Sequence, residues 1–79
     1  MAWHFDEKRI VDLRESRGLT QTGFAIKIRT ATGKLMTKQQ VNAWEHREMV
    51  PTTNTLVKIS NIFGIVPAYW YVWTDDFEI

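Results

Sequence analysis

The chain has 79 residues, no cysteine and a formal net charge of +1. That length supports a single small domain over residues 1–79, and the lack of thiols excludes a disulfide framework and a thiolate metal site. A hydrophobic share of 44% argues against disorder, and no apolar run approaches the ~20 residues that span a bilayer.

The opening stretch Met1-Ala2-Trp3-His4-Phe5 lacks the basic start and apolar run of a signal peptide, so a cytoplasmic location is expected. Asp6 is a suitable N-cap for a first helix, in which Ile10 and Leu13 share one side with Phe5 and the stem of Arg17. Gly18 stands where that helix needs a left-handed terminus. Thr20 then caps a second helix carrying Phe24, Ala25 and Ile28. It stops near Ile28 or runs on to about Ala31, with Gly33 able to end it. Lys34-Leu35-Met36 is a connector. Thr37 caps a third helix that turns Val41 and Trp44 inward and Lys38, Gln39 and Asn42 outward. His46 to Val50 form a loop before Pro51. Thr52 or Thr53 caps a fourth helix with the apolar positions Leu56, Val57, Ile59, Ile62 and Phe63, ended by Gly64. Pro67 suits the first turn of a short fifth helix through Trp73, although the run Tyr69–Trp73 is also compatible with an extended strand.

Charge is segregated along the chain. No Asp or Glu occurs from Ser16 to Trp44, whereas Arg17, Lys27, Arg29, Lys34 and Lys38 all lie there. Such a run gives a local positive field that the net charge conceals. The two histidines, His4 and His46, are far apart and have no ligand-like spacing, so no metal is expected. No serine has a His–Asp pattern near it, and the glycines form no phosphate-binding loop. Neither an enzyme nor a bound cofactor is expected.

The ordered set Leu13-Arg14-Glu15, Arg17-Gly18-Leu19-Thr20-Gln21, Phe24-Ala25, Val41 with Trp44-Glu45, Pro51, Leu56-Val57, Ile59 and Phe63-Gly64-Ile65 resembles the lambda-repressor-like helix-turn-helix family. The resemblance implies an all-α, five-helix domain that binds double-stranded DNA. Residues 37–45 would be its recognition helix in the major groove. It implies that Gln21 bonds the DNA backbone from a helix start and that Arg14 pairs with Glu45 in a partly buried salt bridge. On this mapping Lys38 and Gln39 meet base edges first. Asn42 follows one turn on, and Ala43 lies against a thymine methyl. Thr37, Gln40, Lys34, Arg29 and Arg47 are backbone candidates.

Two departures from the family pattern stand out. The connector between the second and third helices is about six residues longer than the usual tight turn, the excess lying within Arg29–Met36. Arg47 occupies a position where the family commonly has Gly. Because a left-handed non-Gly residue is disfavoured, the loop is expected to take another path. Aromatics crowd both termini, and Tyr69, Trp73 and Phe77 are candidates for a homodimer interface. The chain is thus expected to be a Cro-like repressor of phage or bacterial type. The alternative is an antitoxin or antirepressor that captures a protein partner with the same fold.

Overall fold

The computed structural model describes residues 2–74. In chain order these form strand β1 (Ala2–Phe5), helix α1 (Lys8–Ser16), helix α2 (Gln21–Thr32), helix α3 (Lys38–Glu45), helix α4 (Thr53–Phe63), a 3-10 turn (Pro67–Trp70) and strand β2 (Tyr71–Thr74).

The helix boundaries follow from local chemistry. Thr20, Thr37 and Thr52 each have extended backbone, and their hydroxyls accept from the N–H of Gly23, Gln40 and Thr55 respectively. At Thr37 the cap is reciprocal, since the Gln40 side chain also accepts from the Thr37 N–H at 3.0 Å. This capping box satisfies two otherwise orphaned donors at the start of an eight-residue helix. The α1 start is looser. Glu7 is already helical and gives no side-chain cap, while Asp6 Oδ1 accepts from the Lys8 N–H at 3.1 Å. Helix α2 runs to Thr32, and Gly33 ends it with φ 72°. The lengthened connector is therefore absorbed partly as an extra helical turn and partly as the loop of residues 33–37.

One core joins the helices. Ile10, Leu13, Phe24, Ala25, Ile28, Val41, Trp44, Leu56, Ile59, Phe63 and Trp70 are all buried in it. Phe24 stacks on Phe63 with ring centroids 5.3 Å apart. Ala25, small and buried, lies in the same core. Arg17 is exposed, and its stem does not join the core stripe of α1. Its guanidinium instead lies over the Phe63 ring and donates to the Phe63 carbonyl at 3.0 Å, neutralising an orphan acceptor at the end of α4.

The expectation of five helices does not hold. Among the described residues four α-helices form, and the segment after Pro67 makes only one 3-10 turn before it extends. The reason lies in its residues. Tyr71, Val72, Trp73 and Thr74 favour extended backbone, and β1 supplies a partner across an antiparallel ribbon in the register Trp3↔Trp73 and Phe5↔Tyr71. Trp70 fixes the point where the turn ends. Fully buried, it donates its indole N–H to Ser60 Oγ at 2.8 Å, and Ser60 Oγ donates to the Leu56 carbonyl at 2.8 Å. The inner end of the ribbon is buried through Phe5. At its outer end Trp3 is 62% and Trp73 51% exposed, and the two meet edge to face at 5.3 Å.

The α3–α4 loop also corrects an expectation. Arg47 does adopt the left-handed conformation, with φ 60°. A full terminal motif compensates for it. The Arg47 N–H bonds the Trp44 carbonyl at 3.2 Å and the Glu48 N–H bonds the Ala43 carbonyl at 2.9 Å. The Arg47 side chain gains little in return. Its 4.0 Å approach to Glu7 is exposed, and such pairs contribute little. Replacing Arg47 by Gly removes the steric strain, so R47G should stabilise the protein by about 1 kcal/mol and raise its thermal midpoint by ~4–8 °C. A calorimetric melt that shows no rise would contradict this account of the loop.

Candidate nucleic-acid interface

Helix α3 presents the polar face that its sequence pattern requires. Val41 and Trp44 bury its inner side, which leaves Lys38 and Gln39 exposed and Asn42 half-buried on the other. These three residues, with Gln21 and Glu48, line an open hollow of roughly 540 Å³. Gln21 reaches the hollow from the first residue of α2, so two helices contribute to one surface.

A buried carboxylate positions that surface. The Glu45 side chain is 5% exposed and that of Arg14 15%, and Arg14 Nε donates to Glu45 Oε2 at 2.7 Å. Arg14 Nη2 also donates to Glu45 Oε1 at 3.2 Å, making the contact bidentate. Arg14 Nη1 donates to the Leu19 carbonyl at 3.1 Å, holding the α1–α2 turn. The bond to Glu45 raises the Arg14 pKa above its ordinary range against the opposing effect of burial. The guanidinium therefore stays charged well beyond neutral pH, and its contribution is lost only in strong alkali.

Gln21 is drawn into the same network. Its Nε2 donates to Glu45 Oε1 at 2.9 Å and to Asn42 Oδ1 at 3.2 Å. Because an ionised carboxylate only accepts, the nitrogen of Gln21 must face Glu45, and the oxygen of Asn42 must then face Gln21. Both N–H groups of the Gln21 amide are thereby used. Asn42 is oriented with its own NH₂ directed away from Gln21, as a donor. At the α2 start the Gly23 N–H goes to Thr20 Oγ1, while the N–H groups of Gln21 and Thr22 have no acceptor within the helix.

The remaining candidates are dispersed. Ala43 is half-buried, and its carbonyl accepts from Glu48 and Met49 at the end of α3. Thr37 and Gln40 cap α3 together, and Gln40 faces a second cleft beside α4 rather than the hollow. Lys34 lines that same cleft. Arg29 is exposed on the last turn of α2, and Arg47 is exposed in the α3–α4 loop. The acid-free run thus does not gather on one face. Arg17 and Lys27 lie 5.6 and 5.9 Å from the Phe63 ring centroid, away from the hollow. Of the five basic residues of that run, only Lys38 lines it among the described residues. Sequence reasoning missed Glu48, an acid that lines the hollow with Lys38, because its position follows from the left-handed turn at Arg47, which returns the Glu48 N–H to the Ala43 carbonyl.

Tyr69 is half-buried against the core, with its hydroxyl donating to the Arg9 carbonyl at 3.4 Å, whereas Trp73 is exposed. Phe77 lies outside the described residues. Among those residues no helix is long and apolar enough to cross a membrane, and no group of three or more His, Cys, Asp or Glu side chains is placed to hold a metal ion.

A helix-turn-helix family model matches residues 10–71, from the first turn of α1 to the start of β2. Searches of the curated proteins and of the solved structures return no match.

Removing one member of the buried pair strands the other. E45A should therefore cost about 3–5 kcal/mol, read as a fall in the urea midpoint. In a double-mutant cycle with R14A the two losses should overlap by more than ~1 kcal/mol. Additive losses, each below ~1 kcal/mol, would mean that the pair behaves like a surface ion pair.

Proposed function

The chain belongs to the lambda-repressor-like helix-turn-helix family, a family of DNA-binding regulators, and from that membership we propose that it is a sequence-specific regulator of the compact Cro-like kind, phage or bacterial in type. The observation that carries the reading is the shared surface of α3 and Gln21, in which three polar side chains face solvent beside a helix start. Lys38 donates to guanine O6 and N7, and Gln39 pairs with adenine. Asn42, held through its oxygen by Gln21, reads an acceptor on a base edge as a donor. Ala43 contacts a thymine methyl beside it.

Gln21 takes a different part from the one its amide suggests. With its side-chain donors directed to Glu45 and Asn42, it meets a DNA phosphate through the backbone N–H groups of the first α2 turn. Thr37, Gln40, Arg29 and Arg47 stand at the margins as backbone contacts, which position the protein without reading sequence. The pairing of two copies through the exposed Trp3–Trp73 end would place two recognition helices about one helical turn apart. The same exposed pair supports a second reading, an antitoxin or antirepressor that captures a protein partner. Co-purification of a stoichiometric partner, with duplex affinity indifferent to Lys38 and Gln39, would favour it.

Selection from random duplexes should enrich one sequence, and a pool that stays random would end the DNA-reading proposal. On the winning duplex, K38A and Q39A should each relax preference at separate positions, costing ~1–3 kcal/mol of discrimination. R29A should weaken all sequences alike and flatten the salt dependence. E48Q removes a negative charge beside the duplex and should tighten binding to any sequence. Weaker binding confined to one position would instead assign Glu48 to a cytosine N4.

A further inference from the structure

The second cleft, of roughly 290 Å³, lies between the lengthened connector and α4. Ile28 and Trp44 line its apolar part, and Lys34, Lys58, Gln40 and Asn54 supply polar groups around it. Lys34 comes from the connector and Lys58 from the middle of α4, yet both line this one cleft. No Asp or Glu lines the cleft among the described residues. Two like charges brought together on a surface without a carboxylate repel each other until an anion sits between them. Lys34 accordingly pushes the Lys58 pKa below the usual lysine range, with desolvation adding to the shift.

The neutral groups are suited to the same task. Gln40 uses its oxygen on the Thr37 N–H, so its NH₂ remains to donate. Asn54 stands in the first turn of α4, where the N–H groups of the first helical residues have no intrahelical acceptor.

We propose that the lengthened connector builds an oxyanion site, in which Lys34 and Lys58 hold one phosphate group between them and Gln40 and Asn54 donate to its remaining oxygens. Two sources present that group, the DNA backbone beside α3 and a free phosphate in solution. Only the first rests on the DNA-binding reading. Lys58 thereby becomes part of the binding surface, and Lys34 acts as half of a pair.

The test has two arms, run on the full chain and on K34Q, K58Q and K34Q/K58Q, whose folding is confirmed by circular dichroism. In the first arm the DNA-free protein is titrated with sodium phosphate against sodium chloride at equal ionic strength. The readouts are amide NMR shifts around residues 33–37 and 53–58, together with the thermal midpoint. A saturable response specific to phosphate, lost in each variant, identifies a free anion as an occupant. In the second arm the affinity for a selected duplex is followed against salt. If Lys34 and Lys58 share one backbone phosphate, each single variant lowers the slope of log K on log[salt] by about 0.9, and the double variant lowers it no further. Base preference is unchanged. A positive result in either arm supports the site and names its source. The proposal is overturned if phosphate acts only as chloride does and the double variant keeps the full salt slope. A protein that binds no duplex at all would sink the DNA-reading proposal, and the first arm alone would then decide this one.

Discussion

One buried carboxylate organises this molecule. Glu45 ends α3, yet its two oxygens are bonded by Arg14 of α1 and Gln21 of α2, so three helices share a single charged atom group. Placing a carboxylate where it is 5% exposed is costly unless its lone pairs are filled by good donors. Here a bidentate guanidinium and an amide fill them. Such a contact adds less to stability than to geometry, because directional bonds allow one mutual orientation where apolar packing alone allows several. The relative setting of α2 and α3 determines whether Gln21, Lys38, Gln39 and Asn42 share a surface. The chemistry of the exposed face therefore depends on a bond made behind it.

A second polar device does the same for the C-terminal half. The Trp70 indole is too large to bury with its N–H unsatisfied, and the Ser60 hydroxyl at 2.8 Å satisfies it inside the core. Serine in mid-helix also bonds the carbonyl four residues back, so Ser60 links α4 to the closing turn without an orphaned group. Between β1 and this anchor the regular structure is helical. Downstream of it the chain is extended and leaves the body. The two devices divide the labour, one setting the exposed helix face and the other setting where the aromatic ribbon departs.

What could be read from the sequence was what local chemistry determines. Thr20, Thr37 and Thr52 announce helix starts because a hydroxyl caps within three residues, and Gly18, Gly33 and Gly64 announce ends because glycine enters the left-handed region without strain. The family pattern was legible for a similar reason, as an ordered series of such signals over residues 10–71. Strand β1 was not legible, since Ala2–Phe5 is extended only because Tyr71–Thr74 lies beside it, almost the whole chain away. The left-handed Arg47 is not legible from its residue type, since the two backbone bonds that offset its φ form only once α3 has ended in this turn. At the candidate site the residue types on α3 could be read from helical spacing. That Gln21 is held by Glu45 and Asn42, that Glu48 lines one hollow with Lys38, and that Lys58 and Lys34 line one cleft all depend on how separate elements pack.

The ribbon has a kinetic consequence. Its two strands come from opposite ends of the described chain, so pairing them closes a loop of nearly the full length and bears the largest closure entropy in the fold. Contacts within and between neighbouring helices form over short separations and fold fast. The ribbon must therefore zip last and open first, as a unit separate from the helices. Amide exchange should divide at Trp70. The ladder protons of His4, Asp6 and Val72, which lie on the hydrogen-bonded side of the register, would exchange through a local opening that leaves α1 to α4 protected. The surface most exposed to a second molecule would then be the part of the protein that reorganises most often on its own.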